Sequence, residues 1–113
     1  MIDCNTELKL NDCVKLINDH LTKIDYFSVE KIPEQAFLHL IEETGKLSRC
    51  ILHKNTRRNA MKNGTLPDSI EDEFSDVLWQ VLKLSIYLDI DVNKSFINKY
   101  NKNVAKGIII KDV

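Results

Sequence analysis

An all-α domain built from four helices is what this sequence predicts. Three observations carry the prediction. Apolar residues recur at steps of three and four along most of the chain, the spacing of one helix face rather than of a strand. Turn-forming residues are scarce, with 3 Gly and 2 Pro in 113 residues, which disfavours a fold of many short strands. Helix start and stop signals fall between the periodic runs, at Pro33, Ser69, Asp91 and Gly107. Residues 1–113 read as one domain, large enough for its own core but short of surface to bury.

Leu10, Val14, Ile17, Leu21 and Ile24 predict a first amphipathic helix. A break follows over residues 25–31. Pro33 suits the first turn of a second helix, where its missing N–H costs nothing. That helix is expected to run to about His53, with Phe37, Leu40, Ile41, Thr44, Leu47 and Ile51 as its core stripe. Residues 54–67 hold Arg57, Arg58, Lys62 and Asn63–Gly64 and read as a basic connection.

Asp68 with Glu71, or Ser69 with Asp72, forms a capping box for a third helix. Ile70, Phe74, Val77, Val81, Leu84 and Leu88 make its main apolar stripe, expected to face the core. Leu78, Trp79, Leu82 and Ile86 carry apolar character well around the cylinder, so the helix needs burial on more than one side. In so short a chain the second cover is expected from another subunit, hence a homo-oligomer, a dimer first of all. Trp79 reads as an anchor of that interface rather than a platform for a base. Asp91 caps a fourth helix containing Val92, Phe96, Ile97, Tyr100 and Val104, which Gly107 stops. The apolar tail at 108–113 is expected to pack on a neighbouring subunit.

Composition excludes several functions. A net charge of -1 gives no basic excess for a nucleic-acid polymer or an anionic membrane. No apolar run approaches a membrane span, and the N-terminus has no signal-peptide core. Cys4, Cys13 and Cys50 are odd in number and lack metal-site spacing, so they read as reduced thiols. A cytoplasmic location is the expectation.

The chemistry lies in two acidic segments. One is Glu42-Glu43-Thr44-Gly45-Lys46, and the other is Glu73-Phe74-Ser75-Asp76. Residues three apart on a helix project to one side, so Glu73 and Asp76 can grip a cation together, as can positions 43 and 46. Hard divalent cations favour carboxylate and phosphate oxygens. Glu43 sits nearer the apolar stripe than Glu42 and is the better ligand, which leaves Glu42 as an outer carboxylate. Glu73 and Asp76 equally suit an exposed first turn, where acids favour the positive end of the helix dipole. Lys46 takes the place of a fourth carboxylate, so Glu43, Glu73, Asp76 and Lys46 together carry two negative charges rather than four. Alternatively, Glu42 and Lys46 are a plain i,i+4 surface pair. His39, one turn before Glu43, could reach the acidic site, but a lone helix histidine is more often incidental and it is assigned no role. Arg57, Arg58 and Lys62 are either lid contacts to phosphate or plain loop charges.

These residues resemble the MazG-like family of nucleoside triphosphate pyrophosphohydrolases, whose pattern is EExxE, a spacer, then ExxD. The chain offers Glu42-Glu43-x-x-Lys46 and Glu73-x-x-Asp76, followed by Asp76-Val77-Leu78-Trp79, Leu88-Asp89-Ile90-Asp91 and Lys99-x-x-x-Asn103-x-x-Lys106. Roughly residues 30–106 are covered. The resemblance implies metal-dependent cleavage of a nucleoside triphosphate to the monophosphate and pyrophosphate. Mg²⁺, or Mn²⁺, would be held by Glu43, Glu73 and Asp76, with Glu42 as the catalytic carboxylate on the attacking water. Lys46, Lys99, Asn103 and Lys106 would contact the substrate, and Lys46 could stand in for one metal as a point charge. The rival readings are a non-catalytic nucleotide-binding or scaffold protein on the same fold, and a small helical interaction protein.

Overall fold

The computed structural model describes residues 1–54 and 69–110. Among them the chain is all-α, with helices α1 (Leu10–Lys23), α2 (Pro33–Lys54), α3 (Ile70–Tyr87) and α4 (Val92–Ala105). A 3₁₀ turn, Tyr26–Ser28, joins α1 to α2. Asp68 and the basic connection with Arg57, Arg58 and Lys62 lie outside the described residues.

The helix ends follow local chemistry. Ser69 caps α3, its hydroxyl accepting from the Asp72 backbone N–H at 3.1 Å. Asp91 caps α4 through the Lys94 N–H, also at 3.1 Å, and accepts from the Asn11 side chain, which ties α4 to α1. Gly107 stops α4 with φ at 75°. There the Ile108 N–H returns to the Asn103 carbonyl and the Gly107 N–H to that of Val104, a Schellman closure. Asp89 takes the same left-handed position after α3 (φ 52°), with Ile90 and Asp89 bonding back to Ser85 and Ile86. Short polar side chains tolerate that conformation better than most.

Two interfaces organise the chain. Ile17 and Leu21 of α1 pack on Leu82 of α3, with Cys13, Val14, Tyr26, Phe27, Ile86 and Val92 around them. The second interface joins α2 to α3 as an antiparallel pair: Glu43 meets Glu73 and Asp76, His39 meets Lys83, and Tyr87 bonds the Glu30 carbonyl. This seam is polar. Its buried residues include Glu43, Glu73, Gln80 and Lys83 beside Ala36 and Cys50.

Two sequence expectations are corrected here. The stripe from Phe37 to Ile51 is not the core face of α2, since Phe37, Ile41, Thr44 and Ile51 are exposed. The face that is covered carries Ala36, Glu43, Leu47 and Cys50, turned by roughly 80° at about 100° per residue. On α3 the assignment is likewise reversed. Leu82 and Ile86, expected to meet a second subunit, pack on α1, whereas Phe74, Val81 and Leu88 of the supposed core stripe are exposed. The physical reason is the polar seam: paired charges occupy the inner face of α2 and α3, and the apolar residues are turned outward.

Candidate functional site

Three carboxylates from two helices converge at one end of the seam. Glu43 of α2 and Glu73 and Asp76 of α3 each present an oxygen, and these oxygens all lie within 4.8 Å of one another. Glu73 and Asp76 meet because three residues make nearly one turn. Glu43 joins them because the antiparallel packing sets its turn opposite theirs. Glu43 and Glu73 are each 7% exposed while Asp76 is open to solvent, so the cluster has a buried floor and one accessible side.

Like charges so close repel, and burial removes the water that would screen them. Lys46 supplies part of the compensation. Its Nζ donates to Glu43 Oε1 at 3.2 Å and lies 3.7 Å from Glu42 Oε1. The hydrogen bond to Glu43, then that carboxylate's charge, raises the Lys46 pKa above 10.5, with Glu42 and Glu73 adding to the pull. Glu42 itself stands outside the cluster, its side chain 66% exposed.

An all-oxygen donor set suits a hard divalent cation. Oxygens within 4.8 Å of one another on three separate side chains are near enough for side-chain rotation to bring them onto one ion. The residues fit such an ion. Three carboxylates and one ammonium carry a formal net charge of about -2, which favours a cation.

The other expected site residues stand elsewhere. Lys99 and Asn103 are on α4 and Lys106 caps its C-terminus; α4 packs chiefly on α1, and among the described residues no hydrogen bond or ion pair joins the three to the acidic cluster. Lys99 instead lines a polar groove with Asp91, Lys94, Ser95 and Lys102. Trp79 is partly exposed and meets His20 edge-on, ring centroids 6.2 Å apart.

The seam also holds polar residues that sequence reasoning passed over. Lys83, 1% exposed, ion-pairs with Glu30 Oε1 at 2.8 Å. Tyr26 OH donates to Glu30 Oε2 at 2.8 Å, and Tyr87 OH donates to the Glu30 carbonyl at 2.7 Å. Burial pushes the Glu30 carboxyl up, but the bonds from Lys83 and Tyr26 outweigh it and hold the group below 4.5. Burial and the bond to Glu30 drive the Tyr26 phenol up to about 12. The available signal was Lys83 itself, a lysine within the apolar run 77–88. Gln80 lies seven residues after Glu73 on the same stripe, and its buried Oε1 has no hydrogen-bond partner among the described residues.

Residues 31–106, more than half of the chain, match the family model of the MazG nucleotide pyrophosphohydrolase domain. The match contains both acidic segments and the Lys99–Lys106 element. No curated protein matched the chain significantly. Among the described residues no helix is long and apolar enough to cross a membrane.

Proposed function

This chain belongs to the MazG nucleotide pyrophosphohydrolase family, and on that footing we propose that it hydrolyses a nucleoside triphosphate to the monophosphate and pyrophosphate with Mg²⁺ or Mn²⁺. The observation that carries this reading is the convergence of Glu43, Glu73 and Asp76 within 4.8 Å inside the matched segment. These three would hold the cation. A bound divalent ion supplies neutralisation of phosphate oxygens, acidification of an attacking water and stabilisation of the departing pyrophosphate.

The remaining steps fall to the chain's own side chains. Glu42 is exposed beside the cluster, and among the described residues its contact is Lys46 at 3.7 Å, so it can turn toward a water and accept its proton. The water oxygen bonds to the α-phosphorus as the bridge to the β-phosphate breaks. Lys46 holds its ammonium against Glu43 and can pivot to a phosphate oxygen as a point charge. Lys99, Asn103 and Lys106 would contact the triphosphate or base, supplied by α4 of the same copy or a second one.

A homo-oligomer, a dimer first, is part of this reading. Phe37, Leu38 and Ile41 of α2, Phe74 and Val81 of α3 and Leu88 at its C-cap are all exposed, with Leu38 at 66% and Phe74 at 61%. An apolar groove of about 380 Å³ between Pro33, Phe37, Leu38, Leu84 and Leu88 belongs to this surface. A second copy would cover it by hydrophobic burial. The proposal keeps a reducing, cytoplasmic setting, from the odd number of cysteines and their lack of metal-site spacing.

A second reading, a nucleotide-binding or scaffold protein without turnover, draws on the Lys46–Glu43 contact, which already neutralises part of the site. Pyrophosphate release measured across canonical and modified triphosphates with Mg²⁺ or Mn²⁺ separates the two. Turnover that Glu73→Gln lowers at least about a hundredfold supports the enzyme. Mg²⁺-dependent nucleotide binding without pyrophosphate supports the binder.

A further inference from the structure

The acidic cluster and the buried Lys83–Glu30 pair are joined by one residue, His39. Its Nδ1 lies 3.0 Å from Lys83 Nζ, 3.3 Å from Tyr26 OH and 3.4 Å from Glu30 Oε2. Its Nε2 lies 3.7 Å from Glu43 Oε1 on the other side. The two ring nitrogens therefore face two different environments, and which one carries the proton decides what His39 offers to each.

Donor counting settles the tautomer. Lys83 has three N–H donors and no acceptor. Within its reach are the Glu30 carboxylate at 2.8 Å, Tyr26 OH at 3.3 Å and His39 Nδ1 at 3.0 Å. A proton on Nδ1 would face an ammonium hydrogen head-on. Among the described residues, Glu30 Oε2 and the Tyr26 hydroxyl oxygen could accept such a proton, but at 3.4 Å and 3.3 Å they are longer contacts than Lys83, and each is already engaged, Oε2 by the Tyr26 hydroxyl and the hydroxyl oxygen by Lys83. Nδ1 is thus a lone-pair acceptor for Lys83, and the ring proton sits on Nε2, toward Glu43.

We propose that His39 is a positioning residue for Glu43: Lys83, with Glu30 as counter-ion, holds the imidazole as the Nε2–H tautomer, which turns an N–H donor toward the Glu43 carboxylate. This rests on the reading of Glu43 as a cation ligand. Glu43 Oε1 then stands between two donors, His39 one turn before and Lys46 one turn after, at 3.7 Å and 3.2 Å. The hydrogen bond from Lys46 and the longer electrostatic contact from His39 flank one oxygen, which biases rotation of the carboxylate and leaves its remaining lone pairs for the ion. Outer groups that orient a ligand in this way typically change metal affinity about 10- to 100-fold. Glu30 pairs with Lys83 at 2.8 Å, so the buried ammonium sets the tautomer while its charge is balanced locally.

Two measurements on the full chain test this. The first is a long-range ¹H–¹⁵N spectrum of the metal-free protein with labelled histidine, with His39 identified by its loss in His39→Gln. The Nε2–H pattern is expected, and an Nδ1–H pattern overturns the proposal. The paired variant Lys83→Met with Glu30→Gln removes both charges together, so neither is left buried alone, and it should release the tautomer preference. An unchanged pattern there overturns the role of Lys83.

The second measurement is Mn²⁺ affinity by electron paramagnetic resonance without nucleotide. Asn places an amide near the Nδ1 position and Gln near Nε2. His39→Asn should weaken Mn²⁺ binding about tenfold, and His39→Gln should restore most of it, with melting curves confirming that both fold. Equal affinity in all three proteins, or equal loss in both variants, overturns the proposal. If the natural protein binds no Mn²⁺ while the Nε2–H pattern is present, the cation reading of Glu43 has failed and the proposed purpose of the His39 arrangement falls with it. Mn²⁺ binding with an Nδ1–H pattern instead overturns the His39 proposal and leaves the cation reading standing.

Discussion

Lys46 Nζ lies 3.2 Å from Glu43 Oε1, where the family pattern EExxE places a fourth carboxylate. An ammonium thus occupies the edge of an acidic cluster whose three oxygens lie within 4.8 Å of one another. Whether it is a surrogate for a second cation or a neutralising plug is decided by substitution.

Lys46→Glu should tighten divalent-metal binding by roughly tenfold or more, because the local charge changes by two units. Pyrophosphate release should rise with it, or appear if the natural protein shows none. Parallel Mn²⁺ titrations and turnover assays check this. A folded variant that binds metal more tightly yet loses turnover would identify Lys46 as a working phosphate contact.

The natural chain should sediment as an oligomer at micromolar concentration, and Leu38→Asp should shift it toward monomer. Leu38 is 66% exposed in the single chain, so a charge there is compatible with the fold. It is costly only if another apolar surface covers it. Sedimentation velocity on both proteins is the check.

Within that monomeric background, Leu82→Ala should cost about 2–5 kcal/mol, the usual range for emptying a buried leucine site. Leu82 is 4% exposed between α1 and α3. Phe74→Ala should cost less than about 1 kcal/mol, because Phe74 is 61% exposed. Urea unfolding compares the two. The opposite order would return the core face of α3 to the stripe that hydrophobic periodicity selects.

Glu30 links stability to acid. Its carboxyl titrates lower in the folded chain than its ordinary 4.5, since the bonds from Lys83 and Tyr26 overcome the cost of burial. The unfolded chain therefore binds more protons in that range, and stability decreases as pH is lowered. This contribution is fully present above 4.5 and is lost as pH falls through the folded value. Glu30→Gln should lower stability at neutral pH by about 3 kcal/mol, since it leaves Lys83 buried without its counter-ion. The same change should flatten the decline below pH 4.5 in melting curves taken across that range.

The sequence by itself determined the helices and which side chains share a turn. Local rules act within a few residues, so the Ser69 and Asp91 caps, the Gly107 stop and the four helix spans were legible from spacing and turn chemistry alone. The pairing of Glu73 with Asp76 needed nothing beyond the helical repeat. The inward position of Glu43 relative to Glu42 was legible for the same reason. Periodicity failed at the choice of face. It ranks residues by hydrophobicity, and by that measure Phe37, Ile41, Phe74 and Val81 belong inside. Only the tertiary structure decided otherwise, by setting Lys83 against Glu30 and His39, and Glu43 against Glu73 and Asp76, across one antiparallel seam. The energy of a buried charge depends on the partner opposite it, and those partners stand 44 and 53 positions away for His39–Lys83 and Glu30–Lys83. No short-range pattern in the chain encodes that distance, which is why His39 read as incidental until the fold brought Lys83 to its Nδ1.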